Sequence, residues 1–207
     1  MPVHLVDHPL VHDALAILRD KRTAPDEFRR VATRISVLLA AEALRDIPMA
    51  AAAVETPLGP ADARRMASGV VVVPVLRAGL GMLDAVLALV PSARVGYIGL
   101  QRDERTAVAS QYYSKLPDGL GNAYVLMIDP MLATGGSAVA ALDHLTQAGA
   151  RDIRMICIVA APEGVEVVQK HHPGVRIYTP AIDRQLNDHK YIVPGLGDFG
   201  DRLYGTL

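Results

Sequence analysis

From Val70 onward the chain alternates short apolar runs with amphipathic stretches, and this alternation restricts the fold more than any other feature of the sequence. Val70–Val75 is a β-branched run of the kind found in strands covered on both faces. Val95–Leu100, Ala123–Ile128, Ile153–Ala160 and Val175–Thr179 read as further strands. Between them, Gly79–Val90, Gly135–Ala148 and Val165–His171 read as helices; the second carries Val139, Leu142 and Leu145 on one face and stops at Gly149. Strands alternating with helices imply right-handed crossovers and an α/β fold, a mainly parallel sheet flanked by helices. Ligands in such sheets bind beyond the carboxyl ends of the strands. Each polar motif of this chain falls at one of those ends.

Ahead of this unit, Pro9–Leu44 is helical in pattern. Leu10, Ala14, Ile17 and Leu18, and then Val31, Ile35, Leu38 and Leu39, recur at helical spacing. Pro25-Asp26-Glu27 supplies the proline and acids that suit a first helical turn. Pro48–Ala67 mixes Pro57, Gly59 and Pro60 with small residues and reads as connection with room for short strands. Arg102–Leu116 reads as polar and irregular. No repeat, low-complexity tract or linker divides the 207 residues, so residues 1–207 are read as one domain.

Charge narrows the partners. Lys and Arg number 21 against 22 Asp and Glu, so no basic excess marks a footprint for nucleic acid or an anionic membrane. Any phosphate must be bound locally, by a loop and a few placed cations. Cys157, the only cysteine, sits inside Met155-Ile156-Cys157-Ile158-Val159, which excludes an internal disulfide and reads as a buried, inert thiol. The opening MPVHLVDHPL carries Asp7 and two histidines where a secretion signal needs an unbroken apolar stretch, and later apolar runs are interrupted by Arg77, Asp84 or glycines. A cytoplasmic protein is expected. His4, His8 and His12 have metal-like spacing, but Pro9 breaks the helix between them and no carboxylate completes a set.

The most informative segment runs Val125-Leu126-Met127-Ile128-Asp129-Pro130-Met131-Leu132-Ala133-Thr134-Gly135-Gly136-Ser137. An apolar strand ends in an acid, and a short loop opens a helix with Thr-Gly-Gly-Ser. Glycines let backbone N–H groups approach a phosphate monoester, hydroxyls add donors, and the helix N-terminus adds partial positive charge. Asp129 at the strand tip suits sugar hydroxyls. The competing reading is an ordinary strand-to-helix turn capped by Thr134 or Ser137. A nucleoside-triphosphate loop of the Walker type fails, because no Lys follows the glycines. Two further strand ends carry Arg77-Ala78-Gly79-Leu80-Gly81 and Gln101-Arg102-Asp103-Glu104-Arg105. The first offers backbone donors and a planar cation for a pyrophosphate; the second, alone, reads as a solvated loop. Near the C-terminus, Ile192-Val193-Pro194-Gly195-Leu196-Gly197-Asp198-Phe199-Gly200 contains a literal G-x-G-x-x-G, but too few residues follow for a dinucleotide fold. Its glycine density suits a backbone wall around a small flat ring.

These segments together resemble the type I phosphoribosyltransferases, and Asp129-Pro130-Met131-Leu132-Ala133-Thr134-Gly135-Gly136-Ser137 is similar to the loop of the uracil enzymes in particular. Most of that superfamily has two adjacent acids where this chain has Asp129 and Pro130, a departure the uracil enzymes share. The resemblance implies transfer of a phosphoribosyl group from 5-phosphoribosyl 1-diphosphate (PRPP) to uracil, giving UMP and diphosphate in pyrimidine salvage. It implies a sheet preceded by helices and followed by a small base-binding hood. Asp129 and Arg102 would be catalytic. Arg77, Arg102, Asp129 through Ser137 and Asp198 would bind PRPP, and Ile192, Gly197, Asp198 and Phe199 would line uracil, mainly through main-chain groups. Mg²⁺ would be carried mainly by PRPP, with no protein ligand assigned. The resemblance also implies a homo-oligomer, dimer or higher, and allows a GTP effector. Gln101 stands where the family pattern has an aromatic residue, and Lys190 where it has glycine or another small one. Rival readings are an RNA-binding regulator on the same fold, an inactive sensor, and a purine-specific transferase. The neutral charge balance, the intact motifs and Pro130 with the C-terminal segment oppose them in that order.

Overall fold

The computed structural model describes residues 3–102 and 109–206, with side chains described outside 102–111. The chain opens with an edge strand, β1 (Val3–Leu5), and two helices, α1 (Pro9–Arg19) and α2 (Pro25–Ala43). The His8 ring accepts a hydrogen bond from the Leu10 N–H at the start of α1, and α2 begins with Pro25, Asp26 and Glu27 in its first turn. The next segment is more ordered than its sequence suggests. β2 (Met49–Thr56) and β3 (Gly59–Met66) pair antiparallel along their whole length, apart from the main sheet. Alanine-rich strands have little of the β-branched and aromatic content that marks strands in sequence, so the hairpin stayed hidden.

The main body follows: β4 (Val70–Leu76), α3 (Leu80–Leu89), β5 (Arg94–Val95), β6 (Tyr97–Arg102), β7 (Ala109–Lys115), β8 (Tyr124–Ile128), β9 (Met131–Leu132) and α4 (Gly136–Gln147). Then come β10 (Asp152–Ile156), β11 (Val159–Ala160), α5 (Pro162–His171), β12 (Arg176–Thr179), β13 (Gln185–Leu186), β14 (Ile192–Val193) and α6 (Phe199–Tyr204). The sheet runs β1-β12-β10-β8-β4-β6-β7, with β5 also on β4. Its neighbours are parallel except β6 and β7. Strand β7 corrects the reading of Arg102–Leu116 as irregular: an edge strand faces water, so its polar residues show no buried pattern. The run Ile153–Ala160 is likewise two strands, because the chain leaves β10 at Cys157 and pairs as β11 with β9.

Alternation along the central strands builds two cores. Val72, Leu126, Ile128 and Ile156 pack toward α1, α2 and α3. Val71, Val73, Val125, Met127 and Met155 pack toward α4 and α5. From β4 the chain proceeds to β6 on one side, whereas from β8 it proceeds to β10 and β12 on the other. The carboxyl ends of β4 and β8 therefore flank a topological switch point, where α/β sheets open a crevice. At the opposite end of the sheet, buried Arg154 stacks 4.1 Å from the Tyr124 ring centre and bonds Asp46 and the Tyr178 hydroxyl.

Candidate active site

The Arg77 turn sits at one side of the crevice. Gly79 is essential to its position, since a Cβ there would lie 2.6 Å from the Ile128 carbonyl oxygen and 2.7 Å from that of Val75. The turn thus rests directly on the end of β8, one residue before Asp129, and the Arg77 side chain is exposed. The Leu76–Arg77 peptide is cis.

Asp129 is half-buried; its N–H donates to Ile156 O at 3.1 Å and its Oδ1 accepts from the Met131 N–H at 3.4 Å. The loop after it is laced to the neighbouring strand. Pro130 O accepts from Ile158 and Val159, Leu132 O accepts from Ala161 at 2.8 Å, and β9 runs parallel to β11. Pro130, Leu132 and Gly135 are buried, so at these positions only backbone can serve a ligand; Met131, Ala133, Thr134 and Ser137 are half-exposed and Gly136 is open. Gly135, at φ +82°, is the N-cap of α4 and as a glycine offers no side chain to cap it. The first turn of α4 is suited to an anionic oxygen.

The hood closes the crevice from the C-terminal side. β13 and β14 form a short antiparallel pair, and the Asn187 side chain holds the turn between them by accepting from His189 at 3.0 Å and Tyr191 at 2.9 Å. A cavity of about 260 Å³ lies between this hood and the loop after β8. Met131 and Ala133 line it from the loop, and Ile192, Gly197, Asp198 and Phe199 from the hood. Phe199 is 1 % exposed, its ring edge-on to Phe28 at 5.2 Å. Asp198 caps α6 by accepting from the Asp201 N–H at 2.9 Å. A second hollow of about 470 Å³ adjoins Thr134 and is bounded by Glu163, Asn187 and Lys190. The Leu186 N–H, at 3.0 Å, and secondarily the Lys190 charge hold the Glu163 carboxyl below the ordinary range.

The structure therefore brings Asp129 and the Arg77 turn to one crevice, and gathers Met131, Ala133, Ile192, Gly197, Asp198 and Phe199 around one cavity. The Arg102 backbone ends β6, but its side chain lies outside the described residues, as do residues 103–108. Sequence reasoning passed over His189 and Tyr191, which also line the cavity. It also passed over Arg19, Asp183 and Arg202, which grip the hood from behind. No local pattern marks the last three. Among the described residues no three His, Cys, Asp or Glu side chains form a metal-binding group, and His4, His8 and His12 make separate contacts.

Comparison with known proteins bears directly on this site. The family profile described as uracil phosphoribosyltransferase matches residues 5–206. The uracil phosphoribosyltransferase of Shouchella clausii is 51 % identical over 205 residues, covering 99 % of this chain and 98 % of the relative. That of Symbiobacterium thermophilum is 52 % identical over the same shares. Among solved structures, the AQ2163 protein of Aquifex aeolicus superposes with a TM-score of 0.94 at 36 % identity, covering 98 % of this chain and 97 % of that one. An adenine phosphoribosyltransferase of Trypanosoma brucei shares the fold alone, with a TM-score of 0.58 at 14 % identity over 95 % of this chain and 88 % of its own.

Proposed function

The chain belongs to the uracil phosphoribosyltransferase family, and on that premise we propose how its residues divide the work. The enzyme is a pentosyltransferase that converts uracil and PRPP to UMP and diphosphate, a step of pyrimidine salvage. One observation carries the division of labour: a single cavity is walled on one side by the loop after β8 and on the other by the hood. The match over residues 5–206 supports reading the chain as one phosphoribosyltransferase domain.

The backbone of Thr134–Ser137, at the start of α4, receives the 5-phosphate. Asp129 accepts hydrogen bonds from the ribose hydroxyls. Arg77 and the Ala78–Gly79 turn hold the diphosphate, with Arg102 assigned beside it by the family pattern. Uracil lies against Ile192 and the backbone of Gly197–Phe199. Its two carbonyls and N3–H match fixed main-chain donors and acceptors, whereas cytosine reverses the polarity at C4 and N3 and would leave buried groups unpaired. The transition state has oxocarbenium character, so the site works by holding the two reactants in line and stabilising the leaving diphosphate.

The donor set fits a magnesium ion that arrives with the substrate. Such an ion would need one or two carboxylates at most, and Asp129 or Asp198 would supply them. When bound, it neutralises the departing diphosphate. A homo-oligomer is supported by the β2–β3 hairpin, which is isolated from the main sheet and largely exposed, with Leu58 99 % accessible; a lone two-stranded hairpin is marginal in water. GTP as an effector and a cytoplasmic location rest on the family resemblance. No helix among the described residues is long and apolar enough to cross a membrane.

The test is UMP formation from radiolabelled uracil with PRPP and Mg²⁺, with cytosine, hypoxanthine and adenine in parallel and Asp129→Asn beside the wild type. Uracil alone should turn over, and Asp129→Asn should lose roughly a hundredfold in kcat with its melting temperature kept. Comparable cytosine turnover would refute the main-chain reading of the hood, and full activity in the variant would remove Asp129 from the site.

A further inference from the structure

The segment that walls the base has little of its own to hold it in place. Gly195 and Gly197 have no side chains to pack, yet base recognition by main chain requires their peptide groups to be fixed within a fraction of an ångström. Gly195 is buried and held at both of its polar ends. Its N–H donates to Asp183 Oδ2 at 2.7 Å, and its carbonyl accepts from Arg19 Nη1, also at 2.7 Å. Arg19 and Asp183 are themselves paired through two bonds, Nη1 to Oδ2 at 2.8 Å and Nη2 to Oδ1 at 2.6 Å. The Asp183 side chain is 6 % exposed and that of Arg19 24 %. Water competes weakly at such a fork, and the planar guanidinium fixes direction as well as distance.

Asp183 reaches further than the hood. The Asp183 N–H donates to Ala160 O at 2.8 Å, and Ala160 in β11 pairs with Leu132 in β9, inside the loop that carries the phosphoribosyl group. A path of three links, one through the Asp183 side chain and two between main chains, therefore joins Gly195 to Leu132. Arg202 braces the same stretch from the other side, donating to Leu18 O, to Leu196 O at 2.8 Å and to Asp20 O at 2.6 Å. The end of α1 thus holds both Gly195 and Leu196.

We propose that the Arg19–Asp183 pair is a positioning device for base recognition, setting the Gly195–Gly197 backbone at the distance from the phosphoribosyl loop at which the uracil nitrogen meets the ribose carbon. The proposal rests on the assignment of uracil to the hood. Neither residue touches the cavity, so their effect passes through the peptide groups of Gly195.

The test is steady-state kinetics of Asp183→Asn and Arg19→Gln, with the uracil KM, the PRPP KM, kcat and the uracil-over-cytosine preference measured beside the melting temperature. The uracil KM should rise roughly tenfold to a hundredfold while the PRPP KM stays within about twofold, and the preference over cytosine should fall. Arg19→Lys keeps the charge but cannot span both the carboxylate and the Gly195 carbonyl, so it should fall between. If Asp183→Asn does not fold, the same reading is taken from Arg19→Lys. A folded variant with an unchanged uracil KM and only a lower melting temperature would make the pair scaffolding and overturn the proposal. Gly197→Ala separates the two levels. If it raises the uracil KM and the clamp variants do not, the clamp alone is wrong; if none of them does, the hood is not the base site.

Discussion

Lys190 shows how one residue can obey its neighbours against its own preference. Among the described residues it is the only non-glycine with a positive φ, at +64°, because the turn held by Asn187 requires a left-handed residue there. The resemblance leads one to expect glycine or a small residue at this point, and the positive φ is a physical reason for that expectation. A left-handed L-residue costs about 1–2 kcal/mol, and glycine gives back about 0.5–1 of that in chain entropy. Lys190→Gly should therefore stabilise the protein by up to about 1 kcal/mol, a rise of roughly 2–4 °C in Tm. Calorimetry that found a lower Tm would mean that the lysine side chain contributes more than its backbone costs. Other residues were readable directly. Cys157 was placed in the core by its apolar neighbours, and burial pushes its thiol up to about 12. The three N-terminal histidines could not be given their roles from the sequence. His4 stacks on Tyr178, His8 caps α1 and His12 pairs with Asp7, contacts that depend on partners brought by the fold.

At the scale of elements, α5 has a role that its sequence does not announce. A Cβ at Gly164 in its first turn would lie 2.4 Å from Ala133 O and 2.9 Å from Leu132 O, so the helix is seated against the backbone of the loop after β8. Helix propensity alone favours Gly164→Ala by about 1 kcal/mol. The close approach to backbone reverses that preference, because a carbonyl cannot swing aside as a flexible side chain can. Gly164→Ala should raise the PRPP KM roughly tenfold or more through displacement of the loop. A variant with unchanged PRPP KM and a higher Tm would show that the loop yields freely. The strands and helices around this contact were legible because each carries its own periodicity. The β2–β3 hairpin and β7 were not: one is alanine-rich and buries no face, and the other pairs at the edge of the sheet.

Across the whole molecule, a polar network at the far end of the sheet ties α2 to β8, β10 and β12. Arg154 is 2 % exposed and shares Asp46 with Arg176, while Asp152 lies 3.6 Å away from its Nε. Burial raises the Asp46 pKa, but hydrogen bonds from Arg176 and Arg154 outweigh it and the net shift is downward. A carboxyl depressed in the folded state contributes stability above its unfolded value and loses it as pH falls through the folded one. Asp152 is raised, chiefly by burial, and acts in the opposite sense. Asp46→Asn should cost roughly 2 kcal/mol at neutral pH, less than for a fully buried pair because water reaches Asp46. The difference from wild type should begin to shrink below about pH 4 and close only further into acid, below the depressed folded-state value, where the wild-type carboxyl is protonated in the folded protein too. Urea denaturation at both pH values checks this, and a gap that stayed constant would show that Asp46 acts by shape and not by charge. What the sequence determined by itself was most of the succession of strands and helices from Val70 onward, and the two glycine-bearing segments proposed for phosphate and base. Hydrophobic burial is non-directional, so its demands can be met, and read, as local patterns. Only the tertiary structure decided the strand order, the crevice it opens, and the meeting of Arg19 with Asp183, 164 residues away. A polar pair of that kind exists only after the core has closed and set its distances, so no spacing along the chain encodes it.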